Sequence, residues 1–229
     1  MKGMKTLILT STPTDRGTGE IIDTNGLSTA LRAEIRPGFN FLFISSDPDN
    51  IGMSEGYAAE MTAFFANLGL PAARTEILYS RTASDAPRMV RESDVIFLAG
   101  GHVPTENAFF RSIHLKELLR EWDGVIVGCS AGTMNCASTV YACPEEPGEA
   151  VDPNYQRFIP GLGLTDRMII PHWQTLAGET LDGLNIIEDI IRPDSRGREF
   201  LCIPDGTYLV IKDGTVEIRG EFLLMGTKA

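Results

Sequence analysis

The sequence predicts an α/β fold: a three-layer arrangement with a mostly parallel sheet and helices on both faces. Short apolar, β-branched segments alternate with amphipathic helical segments in the N-terminal half of the chain. The apolar segments end in small or polar residues, as buried parallel strands do. Near the C-terminus the pattern changes to alternating residues, which is typical of antiparallel strands at a sheet edge.

Each element has its own local signal. Residues 54–70 place apolar side chains along one helical stripe, and Gly69 is positioned to end that helix. Residues 104–122 form a second stripe, with Thr105 predicted as its N-cap. The predicted buried strands are 6–11, 39–46, 95–101 and 124–130.

The C-terminal part of the chain differs from the rest. Residues 200–220 alternate in polarity around an Asp213-Gly214 turn, which predicts antiparallel edge strands. Residues 141–163 are rich in Pro, Glu and Gly and predict a long loop, a feature that is often functional in compact domains. No repeat or linker interrupts the chain, so one domain is predicted over residues 1–229.

Composition excludes several classes of protein. A net charge of −11 and a pI near 4.7 argue against nucleic acid or an anionic membrane as the main partner. No apolar run approaches the length of a transmembrane helix, and the segment TLILTS reads as a strand and not as a signal peptide. Four cysteines without CxxC spacing and three histidines predict no metal site and no cofactor. A cytoplasmic protein with reduced cysteines is expected.

The segment GVIVGCSAGTMNCAS places two adjacent nucleophiles after a strand. Centred on Ser130, it reads Gly128-Cys129-Ser130-Ala131-Gly132, a complete G-x-S-x-G pattern. A nucleophile elbow needs small residues on both sides, because the backbone of the turn packs closely. When the same pattern is centred on Cys129, Val127 and Ala131 occupy the two positions that require glycine. The pattern therefore selects Ser130 as nucleophile, and Cys129 is expected to point into the packing as a small hydrophobe.

A serine nucleophile needs a general base. His172 follows the apolar segment RMIIP, so it is predicted at a strand exit, where sheets present catalytic side chains. His102 follows FLAGG at another strand end and is predicted to line the site. His114 lies within a helical pattern and is assigned a surface or packing role.

The acid that orients the base is less defined by the sequence. A chain order of serine, acid and histidine restricts the search to residues 131–171. This range leaves five candidates open, which are Glu145, Glu146, Glu149, Asp152 and Asp166. The short separation between Ser130 and His172 does not fit the α/β-hydrolase layout, which favours a compact site of another type.

These residues resemble the peptidase E and cyanophycinase family of serine peptidases. The resemblance rests on the ordered segments VIFLAGGHVPTENAFF, VIVGCSAGTMN, MIIPHW and CIPDGTYLVIKDGTVEIRG, which span about residues 6–220. It implies a fold similar to class I glutamine amidotransferases (flavodoxin-like), with serine in place of their cysteine. It also implies that Ser130 is the nucleophile and His172 the base.

The resemblance assigns further roles. The backbone N–H groups of Gly101 and Ala131 would form the oxyanion hole. Matching forward from the serine without gaps places the acid at Glu145, with Glu149 as second choice, although the family of peptidase E uses an aspartate. His102 stands where that family typically has Asn, so it is expected to alter the wall of the substrate pocket.

The predicted function is a serine exopeptidase that hydrolyses dipeptides or short peptides, including those with an acidic N-terminal residue, through an acyl-enzyme. Arg157 and Arg167 are candidates for recognising such an acid. Three alternatives stay open: cyanophycinase-like cleavage of β-aspartyl-arginine units, a thiol-dependent activity through Cys129, and a non-catalytic member that binds a small metabolite. The expected partner is a small peptide, and the expected oligomeric state is a monomer or homodimer.

Overall fold

A computed structural model describes residues 5–15 and 17–227 of the protein. The strands are β1 (Lys5–Thr10), β2 (Asn40–Ile44), β3 (Arg74–Leu78), β4 (Val95–Leu98), β5 (Gly124–Cys129), β6 (Thr139–Tyr141), β7 (Phe158–Pro160), β8 (Met168–Ile170), β9 (Thr180–Leu181), β10 (Leu184–Asn185), β11 (Glu199–Cys202), β12 (Tyr208–Lys212), β13 (Thr215–Arg219) and β14 (Leu223–Gly226). The α-helices are α1 (Leu27–Glu34), α2 (Ile51–Asn67), α3 (Ala86–Glu92), α4 (Val103–Ser112), α5 (Leu115–Leu118), α6 (Ala131–Asn135), α7 (Trp173–Leu176) and α8 (Arg192–Asp194). A 3₁₀-helix covers Ser80–Asp85 and a π-helix covers Ile186–Ile191.

A mixed sheet of seven strands forms the centre of the protein, in the order β13-β12-β1-β5-β4-β2-β3. The five strands from β1 to β3 in this order are parallel. Strand β12 is antiparallel to β1, β13 is antiparallel to β12, and the Asp213-Gly214 turn joins β12 to β13. The mostly parallel sheet with an antiparallel C-terminal edge is therefore confirmed.

Alternate side chains of the central strands pack against helices on opposite faces. Phe97 on β4 packs in the cluster that includes Leu31 of α1 and Phe65 of α2. Ile96, its neighbour on the same strand, packs in the cluster that includes Phe110 of α4. This alternation buries both faces of the sheet and produces three layers, as predicted for parallel strands with continuous apolar sequences.

A second, smaller sheet lies beside the first, with the order β14-β11-β8. Strands β8 and β11 are parallel, with Ile170 opposite Cys202, and β14 is antiparallel to β11. The sequence analysis predicts antiparallel edge strands over residues 200–220, but residues 200–202 lie in the central strand of this second sheet and pair in parallel with β8. The short pairs β6–β7 and β9–β10 are also antiparallel.

The helical prediction for residues 104–122 also needs correction. Helix α4 begins at Val103, with His102 and not Thr105 at the N-cap. His114 has a left-handed backbone (φ 54°) that separates α4 from α5, and its side chain is exposed, in line with the surface role assigned to it. Along 5–15 and 17–227, no helix combines the length and the apolar character needed to span a bilayer.

The turn between β5 and α6 is packed too closely for side chains at its glycines. A Cβ atom on Gly132 would collide with the carbonyl group of Leu98, and one on Gly128 would lie 2.8 Å from Thr133 Oγ1. The two glycines of the G-x-S-x-G pattern thus allow α6 to approach the ends of β4 and β5.

We predict that Gly132→Ala lowers the free energy of unfolding by about 1–3 kcal/mol, because the new methyl group must displace backbone. Gly52→Ala is the matched control, since Gly52 lies in α2 with no atom near an added Cβ, and it should be neutral or stabilise the protein by up to about 1 kcal/mol. Urea denaturation of both variants measures the difference. Equal stabilities would contradict the close packing described above.

Candidate active site

Three neighbouring strands of the main sheet end at the same edge. Strand β5 lies between β1 and β4, and all three are parallel. Their carboxyl ends lead to Ser11, to Ser130 and to the Gly100-Gly101 turn. In parallel sheets this edge is where ligand sites form, so the fold itself brings these three segments together.

Ser130 occupies a sharp turn with an unusual backbone conformation. Its φ of 50° and ψ of −112° lie outside the regions that a residue with a side chain normally adopts. Such strain persists only where surrounding packing enforces it, here the close contacts at Gly128 and Gly132. The turn is that of a nucleophile elbow, and it presents the Ser130 side chain to a cleft.

Cys129 is the last residue of β5 and is 4% exposed. It packs in the same apolar cluster as Phe43 and Phe97, as expected for a small hydrophobe. Its Sγ atom accepts a hydrogen bond from the Tyr57 hydroxyl at 3.4 Å, and burial raises the pKa of that phenol well above its usual value. Cys129 also lines the cleft, together with Ser130.

His172 and Asp205 come from the second sheet. His172 follows β8 and Asp205 follows β11, the two parallel neighbours. His172 Nε2 lies 2.9 Å from Ser130 Oγ, and His172 Nδ1 lies 2.7 Å from Asp205 Oδ1. If Nδ1 carries the proton and donates it to Asp205, the Nε2 lone pair is available to the serine hydroxyl. The three side chains therefore form a continuous hydrogen-bonded series.

Two further side chains hold the carboxylate of Asp205 in place. The Ser11 hydroxyl donates to Asp205 Oδ1 at 2.5 Å and accepts a hydrogen bond from the His172 backbone N–H at 2.8 Å. The Gln174 amide donates to Asp205 Oδ2 at 2.6 Å, while the Asp205 backbone N–H donates to Gln174 Oε1 at 3.0 Å. Neither Ser11 nor Gln174 was singled out from the sequence.

The electrostatics of Asp205 suit an acid that remains ionised. Burial alone would raise its pKa, but the hydrogen bonds from His172 and Ser11 and the charge of His172 together lower it to about 2. The carboxylate is therefore negative at neutral pH and stabilises a positive charge that develops on the imidazole.

This arrangement corrects the predicted acid. Glu145 makes no hydrogen bond to His172, because Asp205 occupies the Nδ1 position. Asp152 accepts from its own loop at Asn154 N, and Asp166 accepts from Ser138. The assumed chain order was the error, since the acid lies after the histidine. A signal was present: the segments Ile170-Pro171-His172 and Ile203-Pro204-Asp205 share the form Ile-Pro-X after a short apolar strand.

Glu149, within the long loop, is hydrogen-bonded to His102 at the N-cap of α4. His102 Nε2 lies 2.9 Å from Glu149 Oε1, and Glu149 Oε2 accepts the backbone N–H groups of Glu145 and Glu146. His102 is absent from the described lining of the cleft, so the prediction that it lines the site is corrected: it anchors the loop instead. His102, Glu146 and Glu149 bring potential metal ligands within 4.8 Å of one another, outside that lining.

Two backbone N–H groups are the candidates for an oxyanion hole. Gly101 lines the cleft after β4, and Ala131 follows the nucleophile as the first residue of α6. Neither N–H donates to an acceptor among residues 5–15 and 17–227. Both remain candidates for binding the negatively charged oxygen of a tetrahedral intermediate.

The cleft that contains Ser130 and His172 has a volume of about 940 Å³. Its described lining carries charge of one sign only, from Asp15, Glu60, Glu145, Glu179 and Asp205. Arg157 pairs with Asp194, and Arg167 pairs with Glu199, so these two arginines are engaged elsewhere. Their suggested role in recognising an acidic substrate is not supported by their position.

A strained serine after a strand, bonded to a histidine that is bonded to a carboxylate, is the arrangement of a serine-type hydrolase. The family model named Peptidase family S51 matches residues 30–219, and the chain belongs to this family. Membership makes it a serine-type peptidase. No curated protein matches the chain.

Two solved structures share the fold. A peptidase from an acI-B1 Actinobacterium superposes with a TM-score of 0.63 at 17% identity, covering 98% of this chain and 95% of that one. A putative peptidase E protein from Listeria monocytogenes EGD-e superposes with a TM-score of 0.64 at 17% identity, covering 96% of this chain and 100% of that one. Both are similar along nearly the whole length, which agrees with the expected fold.

We predict that Asp205→Asn lowers the rate at which a fluorophosphonate reagent labels Ser130 by about 10³- to 10⁴-fold, because the imidazole loses its orienting charge. Glu145→Gln is the matched control and should label at the wild-type rate. Intact-protein mass spectrometry over time measures both rates. Slow labelling of the Glu145 variant with fast labelling of the Asp205 variant would reverse the assignment of the acid.

We also predict that Ser11→Ala lowers the same labelling rate by about 10- to 100-fold, since it removes one hydrogen bond to a charged group and one to the His172 backbone. The variant should keep its fold, as judged by circular dichroism. A labelling rate equal to that of the wild type would show that Gln174 alone holds Asp205.

Proposed function

We propose that the protein is a serine exopeptidase that hydrolyses dipeptides or short peptides through Ser130, His172 and Asp205. The observation that carries this proposal is the hydrogen-bonded series from the strained Ser130 to Asp205. Membership of peptidase family S51 supports the same chemistry. A cleft of about 940 Å³ is adequate for a peptide of a few residues.

The reaction follows from the hydrogen bonds. Ser130 Oγ attacks the peptide carbonyl carbon while its proton passes to His172 Nε2. The oxygen of the tetrahedral intermediate takes up negative charge, which the N–H groups of Gly101 and Ala131 stabilise. His172 then gives its proton to the departing amine as the C–N bond breaks, which leaves an acyl-enzyme on Ser130.

Deacylation repeats these steps with water. His172 Nε2 takes a proton from a water molecule, and the resulting hydroxide attacks the acyl carbon. The ester bond to Ser130 breaks, and the proton returns from His172 to Ser130 Oγ. Asp205 stays ionised throughout, because its pKa is about 2, and it balances the charge on the imidazolium.

The acidic cleft favours a second candidate function over that of a dipeptidase selective for acidic substrates. Cyanophycinase-like cleavage of β-aspartyl-arginine units would use the same three residues and bring a guanidinium group into a cleft whose described charges are negative. Release of β-Asp-Arg from its polymer tests this candidate. A non-catalytic role is disfavoured by the complete hydrogen-bonded series.

A cytoplasmic location is part of the proposal. The four cysteines are buried and form no disulfide bond, which suits a reducing compartment. Burial raises the pKa of Cys143 and of Cys202 to about 12, so neither thiol is reactive.

We predict that Ser130→Ala lowers kcat/KM for cleaved dipeptides by at least about 10³-fold, since the nucleophile is removed and the binding site remains. Cys129→Ala should keep most of the activity. A panel of acidic, neutral and basic dipeptides, analysed by liquid chromatography, provides the measurement. Activity that depends on Cys129 and survives loss of Ser130 would favour the thiol-dependent alternative.

A further inference from the structure

Glu145 is a charged residue in the active-site cleft that the proposed catalytic steps do not use. It lies on the loop after β6 and lines the same cleft as Ser130 and His172. Its backbone is fixed, because the Glu145 N–H donates to Glu149 Oε2 at 2.8 Å. Within 5–15 and 17–227, no hydrogen bond or ion pair compensates its carboxylate.

Other acidic side chains surround the carboxylate of Glu145. Glu145 is an exposed residue, but the protein packed around its carboxylate and the like charges of Glu149 and Glu146 raise its pKa to about 7. A carboxylate that is partly desolvated and repelled by its neighbours is stabilised by any cation that enters the cleft. Three other acids on the described walls that are not bonded to His172 add to the negative potential there: Asp15, Glu60 and Glu179.

We propose that Glu145 is a specificity-determining residue that binds a positively charged group of the substrate, so that this peptidase selects cationic peptides. The charged group is an alkylammonium or guanidinium, carried either by the free amino terminus or by a lysine or arginine side chain. This inference rests on the proposed peptidase activity for its biological meaning. The charge recognition itself can be measured without turnover.

The pH dependence of cation binding follows from the raised pKa of Glu145. Below pH 7 the Glu145 carboxyl group is largely neutral and attracts a cation weakly, and above pH 7 it is ionised. A lysine side chain keeps its charge up to a pH of about 10. Binding of a lysine peptide should therefore strengthen as the pH rises through 7. The other titratable groups near Glu145 or on the described cleft walls are Asp15, Tyr57, Glu60, Cys129, Cys143, Glu146, Glu149 (bonded to His102), Tyr155, His172, Glu179 and Asp205.

The experiment uses Ser130→Ala protein, which cannot turn over substrate, and isothermal titration calorimetry. The probes are Lys-Ala against acetyllysine-Ala, which tests the side chain, and Ala-Ala against N-acetyl-Ala-Ala, which tests the amino terminus. We expect at least one charged probe to bind about tenfold or more tightly than its acetylated partner, as for a hydrogen bond to a charged group.

Variants at position 145 identify the residue responsible. Glu145→Gln should abolish the preference for the charged probe over its acetylated partner, and with it the stronger binding above pH 7. Glu145→Lys should reverse the charge preference, so that Asp-Ala binds more tightly than Lys-Ala. Glu146→Gln is the matched control: it makes the same charge change on the same loop, outside the described lining, and should keep the preference. Equal binding of charged and acetylated probes, or an unchanged preference in Glu145→Gln, would overturn the proposal.

Hydrolysis assays on the protein with Ser130 intact separate this inference from the proposed function. Cleavage of all probes without charge preference would overturn the role of Glu145 and leave the peptidase function in place. Charge-selective binding in calorimetry without cleavage of any peptide would overturn the peptidase function and leave the recognition role of Glu145 in place.

Discussion

The Ser11 hydroxyl joins the two sheets of the protein beside the catalytic residues. Ser11 extends from β1 of the main sheet, whereas its partners His172 and Asp205 belong to the second sheet. One hydroxyl thus accepts from the His172 backbone and donates to the Asp205 carboxylate. Because Ser130 follows the neighbouring strand β5, this contact fixes the nucleophile and its base in one frame.

The second sheet holds His172 and Asp205 next to each other. Parallel strands β8 and β11 run side by side, and the main-chain bond from Ile203 N to Ile170 O continues the pairing beyond their ends. The residues that follow, His172 and Asp205, are therefore held at a fixed separation by backbone hydrogen bonds and not by side-chain packing alone. Such rigid support keeps catalytic groups within hydrogen-bond distance.

The sequence contained the local parts of this site but not its assembly. Ser130 was predictable because the two glycines of the G-x-S-x-G pattern are a local steric requirement of the turn. His172 was predictable because the four apolar residues before it indicate the end of a strand. Asp205 was missed because the search assumed that the acid precedes the histidine, whereas β11, which leads to Asp205, pairs with β8 although the two segments are distant in the sequence. His102 was misplaced for a related reason, since its bond to Glu149 depends on how the long loop folds back.

Asp205 and Glu145 show how environment separates two carboxylates of one cleft. Asp205 receives hydrogen bonds from three side chains, and its pKa falls to about 2 although burial opposes this. Glu145 receives none at its carboxylate from residues 5–15 and 17–227, and the surrounding protein and two anionic neighbours raise its pKa to about 7. A group already saturated by the protein cannot bind substrate, whereas an uncompensated one gains most from a ligand of opposite charge. The same reasoning that excludes Glu145 as the orienting acid therefore makes it the better candidate for substrate recognition.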